Sequence, residues 1–199
     1  MAFTVVYDAC VLYPIALRDL FVRLGQTGLF RAKWTERILD EFVAAVLREH
    51  PDIGEKLERQ REQMREAIPD VDVRDYARFI PAMPPLPDPD DAHVLAAAKA
   101  AGAEVIVTFN VRDFPPKVIG PLDVEAQHPD VFVLHLIDLD REQVERVVEE
   151  MAAAKTRPPM TYNEVLDVLD VLDVLDVLAK RGLVGAAQAL RRRRRSTNL

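Results

Sequence analysis

The sequence predicts an α/β fold, a mostly parallel sheet with helices between its strands, and three observations predict it. Short β-branched runs, Thr4-Val5-Val6-Tyr7 and Glu104-Val105-Ile106-Val107-Thr108, read as buried strands. Longer segments of helical periodicity lie between them, as parallel crossovers require. Acidic residues follow the strand ends, the side on which open parallel sheets bind ligands.

Taken in order, the first strand ends directly in Asp8, with Ala9-Cys10 turning the chain away. Asp8 is equally suited to cap the helix expected near Ala16 to Leu24. Thr35 to about Glu49 is amphipathic, with Ile38, Leu39, Phe42, Val43, Val46 and Leu47 three and four residues apart. Glu41 borders that stripe, either turned inward at its margin or solvated on the flank. Residues Pro51 to Ala67 form a charged helix with a thin apolar stripe at Ile53, Leu57, Met64 and Ile68, expected to project over the site or to form a partner-binding arm.

The proline-punctuated stretch Pro84 to Asp91 ends in Asp88, Asp90 and Asp91, and the alanine-rich helix Ala92 to Ala101 follows, stopped by Gly102. Three acids in four residues exceed what one helix cap uses, because one side-chain oxygen serves an N-cap. After the strand ending at Thr108, the chain runs Phe109-Asn110-Val111-Arg112-Asp113-Phe114, which would place Asn110 and Asp113 at the same sheet end as Asp8. Asn-x-x-Asp is also ordinary turn chemistry. Val131-Phe132-Val133-Leu134 reads as the last strand.

From there the character changes. Asp140 is expected to open a helix through about Ala154, broken at Thr156 to Met160, and Thr161-Tyr162-Asn163-Glu164 is a capping box for a second helix. Two units result: residues 1–137, the α/β part, and residues 138–199, a helical hairpin with a basic tail. Within the hairpin Val-Leu-Asp recurs four times from Val165 to Asp176. A three-residue period advances about 300° in a helix, so each copy slips back roughly 60° and no single polar face results. Such a helix must pack on more than one side or associate, and a tandem expansion that lengthened an existing helix is the preferred account. The run Arg191 to Arg195 is either a grip on RNA or a disordered, solubilising end.

Carboxylates gathered without basic partners repel one another unless something positive stands between them, and a divalent cation is the usual solution. Asp8, Glu41, Asp91 and Asp113 are the four acids placed to gather in this way.

These contexts together, Val6-Tyr7-Asp8, Glu41 on the second helix, Asp88-x-Asp90-Asp91-Ala92-His93-Val94-Leu95-Ala96-Ala97-Ala98 and Val107-Thr108-x-Asn110-x-x-Asp113-Phe114, resemble the PIN-domain ribonucleases, especially the VapC-type toxins of bacterial toxin–antitoxin pairs. The resemblance runs in order from residue 3 to about 135. It implies a three-layer α/β/α sandwich whose acidic pocket holds Mg²⁺ or Mn²⁺ and cuts single-stranded or looped RNA. By position it implies that Asp8, Glu41 and Asp91 are the principal metal-binding acids and Asp113 the fourth, with Thr108 and Asn110 as supporting polar groups. Asp88 and Asp90 match acids common in a related subgroup, and a one-residue shift of register would make Asp90 the ligand and Asp91 the cap. The hairpin resembles the C-terminal extension of one VapC subgroup. The implied partners are an RNA substrate and a cognate antitoxin, and a homodimer is left open.

The composition excludes several rivals. The one cysteine, Cys10, allows no internal disulfide and suits a reducing cytoplasm, and no signal peptide or membrane span is evident. The four histidines lack metal-ligand spacing, and only 7 glycines leave no phosphate-cradling loop. His93, at the start of its helix, either reaches a substrate phosphate or is a partly buried helix residue, the commoner case. A phosphoryl-transfer domain using Asp8 lacks a lysine after a later strand. Net charge is −7, and without the five arginines of the tail the remainder carries −7 − 5 = −12, so RNA contact must be local. Arg112 is one of several basic residues near the acids able to touch a phosphate. The competing reading from another class is a catalytically idle PIN-like module that binds RNA or protein.

Overall fold

The computed structural model describes residues 2–156, 158–170 and 183–196. Four parallel strands, β1 (Phe3–Tyr7), β2 (Phe30–Lys33), β3 (Val105–Val107) and β4 (Glu125–Gln127), form one sheet in the order β2-β1-β3-β4. From Thr4 to Tyr7 β1 is buried on both faces, as expected of an inner strand covered by helices on either side. Val5 pairs with Ala32 on one flank and with Val105 on the other. The chain therefore leaves β1 in one direction for β2 and later returns on the other side for β3. That reversal opens a crevice beyond the carboxyl ends of β1 and β3.

Helices α1 (Ala9–Leu12), α2 (Ile15–Gln26), α3 (Glu36–Glu49) and α4 (Gly54–Ala67) fill the first half. Thr35 caps α3, its Oγ1 accepting from the Ile38 amide at 3.2 Å. Helix α4 is not a projecting arm. It packs on α2 and α3 through Leu57 and Met64, and Arg61 is tied to Glu36 and, at 2.7 Å, to Asp40. Helix α5 (Ala92–Ala101) covers the sheet with His93 through Ala98 buried, and Gly102 closes it at φ 60°, a left-handed backbone that glycine adopts without strain.

Two strands were not apparent from the pattern of apolar runs. β2 (Phe30-Arg31-Ala32-Lys33) and β4 (Glu125-Ala126-Gln127) are edge strands, short and carrying charge or amide groups, the composition that keeps an edge from pairing with another chain. Conversely, Val131 to Leu134 is not a strand. After the short helix α6 (Pro116–Ile119) and β4, it lies in the first turns of α7 (Pro129–Ala154). Pro129 occupies the first helical position, and the His128 ring accepts from the Asp130 amide at 3.2 Å. The buried residues Phe132, Val133, Leu136 and Ile137 are spaced for a helix stripe. Phe132 enters an aromatic cluster with ring centroids 5.2 Å from Phe30 and 6.0 Å from Phe21.

Helix α7 passes through the expected boundary at residue 137 and breaks at Asp140, whose backbone is non-helical (φ −154°, ψ 88°). Asp140 restarts the helix as a cap, accepting from the Gln143 amide at 3.1 Å. Helices α8 (Tyr162–Asp170) and α9 (Val184–Ser196) pack on it. The capping box forms: the Thr161 amide donates to Glu164 at 2.7 Å, and the Glu164 amide donates to the Thr161 hydroxyl at 3.3 Å. Asp130 holds α9 in turn, accepting from the Gly185 and Ala186 amides at 3.0 and 2.8 Å. Among the described residues, one hydrophobic core joins side chains of the sheet, such as Val5, to side chains of α9, such as Leu190.

Of the Val-Leu-Asp repeat, the copies up to Asp170 are described and the rest lies outside the described residues. They show the rotation that a three-residue period imposes: Val165 and Leu166 are both buried, whereas in the next copy Val168 has turned out to 41% exposure and Leu169 stays in. Arg191 pairs with Asp167 at 2.5 Å and with Asp170 at 2.8 Å, and the backbone is helical as far as Ser196. The side chains of Arg193 to Arg195 lie outside the described residues. No described helix is long and apolar enough to cross a membrane.

Candidate active site

The pairing of β1 with β3 builds the site. Tyr7 lies opposite Val107, so the next residues, Asp8 and Thr108, leave the sheet side by side. The Asp8 amide donates to the Val107 carbonyl at 3.1 Å, and the Thr108 hydroxyl donates to Asp8 Oδ2 at 2.6 Å. Asp8 precedes α1, yet its side chain caps nothing. The Cys10 thiol also donates to Asp8 Oδ2, at 3.1 Å, while its sulfur accepts from the Phe109 amide at 3.3 Å. Burial first, and the Asp8 charge second, push the Cys10 pKa well above the ordinary thiol range, so the sulfur remains a protonated donor. The Thr108 hydroxyl accepts from the Asn110 amide at 2.9 Å, which folds the following turn back over the strand ends.

A cleft of about 370 Å³ opens here, lined by Asp8, Cys10, Tyr13, Glu41, Arg48, Asp91 and Asn110 among others. A larger groove of about 520 Å³ between α2 and α4 lies elsewhere and has Asp19 as its one acidic lining residue. Three of the four expected acids thus meet in one cleft. Asp113, in the turn Val111–Asp113, is not among the lining residues and acts on Asp91 through its charge. The acid-rich approach to α5 sorts by geometry: Asp88 caps the tight turn Pro89–Asp91, accepting from the Asp90 amide at 2.9 Å, Asp90 is exposed outside the cleft, and Asp91 faces in. Arg112 is exposed.

Electrostatics separate the acids. Asp91 has its pKa raised to about 7, by burial first and then by the charges of Asp8, Asp88, Asp113 and Glu41. Its Oδ2 is buried with no hydrogen-bond partner. Burial pushes Glu41 upward too, but His93 and Arg37 outweigh it and hold Glu41 below the usual carboxylate range. His93 Nε2 and Arg37 Nε each stand 3.0 Å from Glu41 Oε1. Arg37 lies one turn before Glu41 on α3; the His93 contact, bridging α5 to α3, carries no local sequence signal.

Among the described residues, no three His, Cys, Asp or Glu side chains stand close enough to form a ready coordination cage. The donors nevertheless suit Mg²⁺ or Mn²⁺. All are hard oxygens, one is buried without a partner, and Mg²⁺ commonly takes one or two direct carboxylates and keeps its waters.

The raised Asp91 pKa has a measurable sign. Between about pH 4 and 7 the folded chain holds a proton on Asp91 that the unfolded chain has lost, so stability falls as pH rises through that window and levels off above it. With chelator present, Asp91→Asn is expected to match the wild type near pH 4 and to exceed it by on the order of 2 kcal/mol at pH 8, discounted for a half-buried group. Urea unfolding at the two pH values checks this, and an equal stability difference at both would contradict it.

A family model described as PIN domain matches residues 4–112, and a second, described as VapC50 C-terminal domain, matches residues 129–171. The Mycobacterium tuberculosis (strain ATCC 25618 / H37Rv) protein named "Putative ribonuclease VapC50" is 44% identical over 77 residues, which is 39% of this chain and 46% of that protein, so the chain spans less than half of the relative's length. No solved structure gives a significant match. Since the first model takes in β1, β2, β3 and the helices that carry the cleft, more than half of the sequence, the chain belongs to the PIN domain family.

Proposed function

We propose that the protein is a metal-dependent endoribonuclease and the toxin of a toxin–antitoxin pair, restrained by a cognate antitoxin in the cytoplasm. The observation that carries this is the partnerless buried oxygen of Asp91, in a cleft shared with Asp8 and Glu41 and repelled by both. Family membership and the relative named as a ribonuclease support the choice of RNA.

Residues 1–137 carry the chemistry in this reading and residues 138–199 form a helical extension. Asp8, Glu41 and Asp91 would hold the divalent ion, with Asp88 and Asp113 supplying negative field. A bound Mg²⁺ or Mn²⁺ supplies a polarised water and neutralises charge developing on a phosphodiester. Thr108 fixes the Asp8 carboxylate by its 2.6 Å hydrogen bond, and Asn110 and Arg112, on the turn that follows, would meet the RNA backbone in this reading. Cys10 donates to the same Asp8 oxygen at 3.1 Å.

The full chain with Mn²⁺ is expected to cut single-stranded RNA internally and to stop with EDTA. RNA retained uncut under both conditions would overturn the enzyme and leave the idle binding module.

A further inference from the structure

Among the described residues, Glu41 differs from Asp8 and Asp91 in having basic partners, and the buried one is His93. Its imidazole is 2% exposed, with Nε2 at 3.0 Å from Glu41 Oε1. An ionised carboxylate only accepts, so Nε2 is the donor in this contact. Nδ1 is buried with no hydrogen-bond partner. A leucine or phenylalanine would fill the same place on α5 without burying an unsatisfied nitrogen, so packing does not account for a histidine here. The contact it makes with Glu41 does.

That contact joins two helices across the cleft. Helix α5 carries His93 two residues after Asp91, and α3 carries Glu41 with Arg37 one turn before it. The Arg37 pair is exposed and screened by water, whereas the His93 bond is shielded. Both bonds fall on Oε1, which leaves Oε2 free of either. The geometry is that of a metal ligand oriented from behind by a second hydrogen bond, here with the imidazole as the donor and the carboxylate as the ligand.

We propose that His93 is a positioning residue that fixes the Glu41 carboxylate so that Oε2 is presented to the divalent ion; the proposal rests on the metal-dependent nuclease reading. It acts through Glu41 and touches neither metal nor RNA.

The test is Mn²⁺ binding to the full chain, followed by the electron paramagnetic resonance of free Mn²⁺, with no substrate present. His93→Phe is expected to weaken binding about 10–100-fold, and His93→Gln, whose amide keeps a donor toward Glu41, to recover most of that loss. In a Glu41→Gln background His93→Phe should add no more than about twofold, because the group it acts through is gone. If His93→Phe does not fold, His93→Asn, whose shorter amide stops short of Glu41, replaces it with the same expected loss. Wild-type affinity in the Phe or Asn variant, or a full additional loss in the Glu41→Gln background, overturns the role of His93. Should Asp8→Asn lose Mn²⁺ while the His93 variants keep it, the nuclease reading survives and the His93 proposal alone falls. A wild-type chain that binds no Mn²⁺ overturns both.

Discussion

Asp8→Asn is expected to cut RNA at least about 10²-fold more slowly than the wild-type chain in saturating Mn²⁺, with its unfolding temperature unchanged or raised. Asp8 is 5% exposed and receives two donors on Oδ2, from Thr108 and Cys10. An asparagine can offer its carbonyl oxygen to the same donors, so the local geometry survives. What disappears is one full negative charge from a cleft that Glu41 and Asp91 also enter. For a metal site this removes a ligand charge; for the metal-free fold it removes repulsion, since Asp8 is the foremost charge acting on Asp91 after burial. Loss of activity and gain of stability therefore go together. Single-turnover cleavage and thermal unfolding of the same preparation check both, and a rate within about threefold of wild type would remove Asp8 from the chemistry.

Phe132→Ala is expected to cost about 3–5 kcal/mol of unfolding free energy, the largest single effect foreseen for the scaffold. Its ring stacks near Phe21 at an interplanar angle of 22° and meets Phe30 edge-on at 85°, with Phe3 at 6.4 Å. Truncation would open a cavity among β1, β2, α2 and α7 that stiff aromatic neighbours cannot collapse to fill. Val131→Ala, at 42% exposure, should change stability by less than about 0.5 kcal/mol. In a strand, Val131 and Val133 would share a face; in α7 Phe132 and Val133 go inward together and Val131 does not. Urea midpoints for the two variants decide it, and comparable losses at Phe132 and Val131 would contradict the helix.

Much of the site was legible because strand ends are legible. A β-branched run that stops in an aspartate, and a second that stops in a threonine, place both at one sheet edge if the strands are parallel, and the Tyr7–Val107 register does so. The alanine-rich helix after the acids, its glycine stop, the Asp140 restart and the capping box were legible for the same reason: each is a local signal spanning a few residues. Strands β2 and β4 were not, because an edge position rewards charge over hydrophobicity. The run Val131 to Leu134 misled because four apolar residues fit either period, and the deciding cue was Pro129 before it. Which of Asp90 and Asp91 faces the cleft depends on one residue of a tight turn, finer than any periodicity resolves. The His93–Glu41 bond joins helices 52 residues apart, a distance at which side-chain partners leave no trace in a single sequence.

The tether between Thr108 and Asp8 closes a span of 100 residues. Bringing such distant points together costs loop entropy that only the completed sheet recovers, so the tether forms late in folding. A nascent chain still on the ribosome carries Asp8 and Glu41 long before Thr108 has emerged, and until then nothing fastens the first aspartate in place. If the product is a cutter of RNA, its blade stays unassembled until Thr108 has left the ribosome.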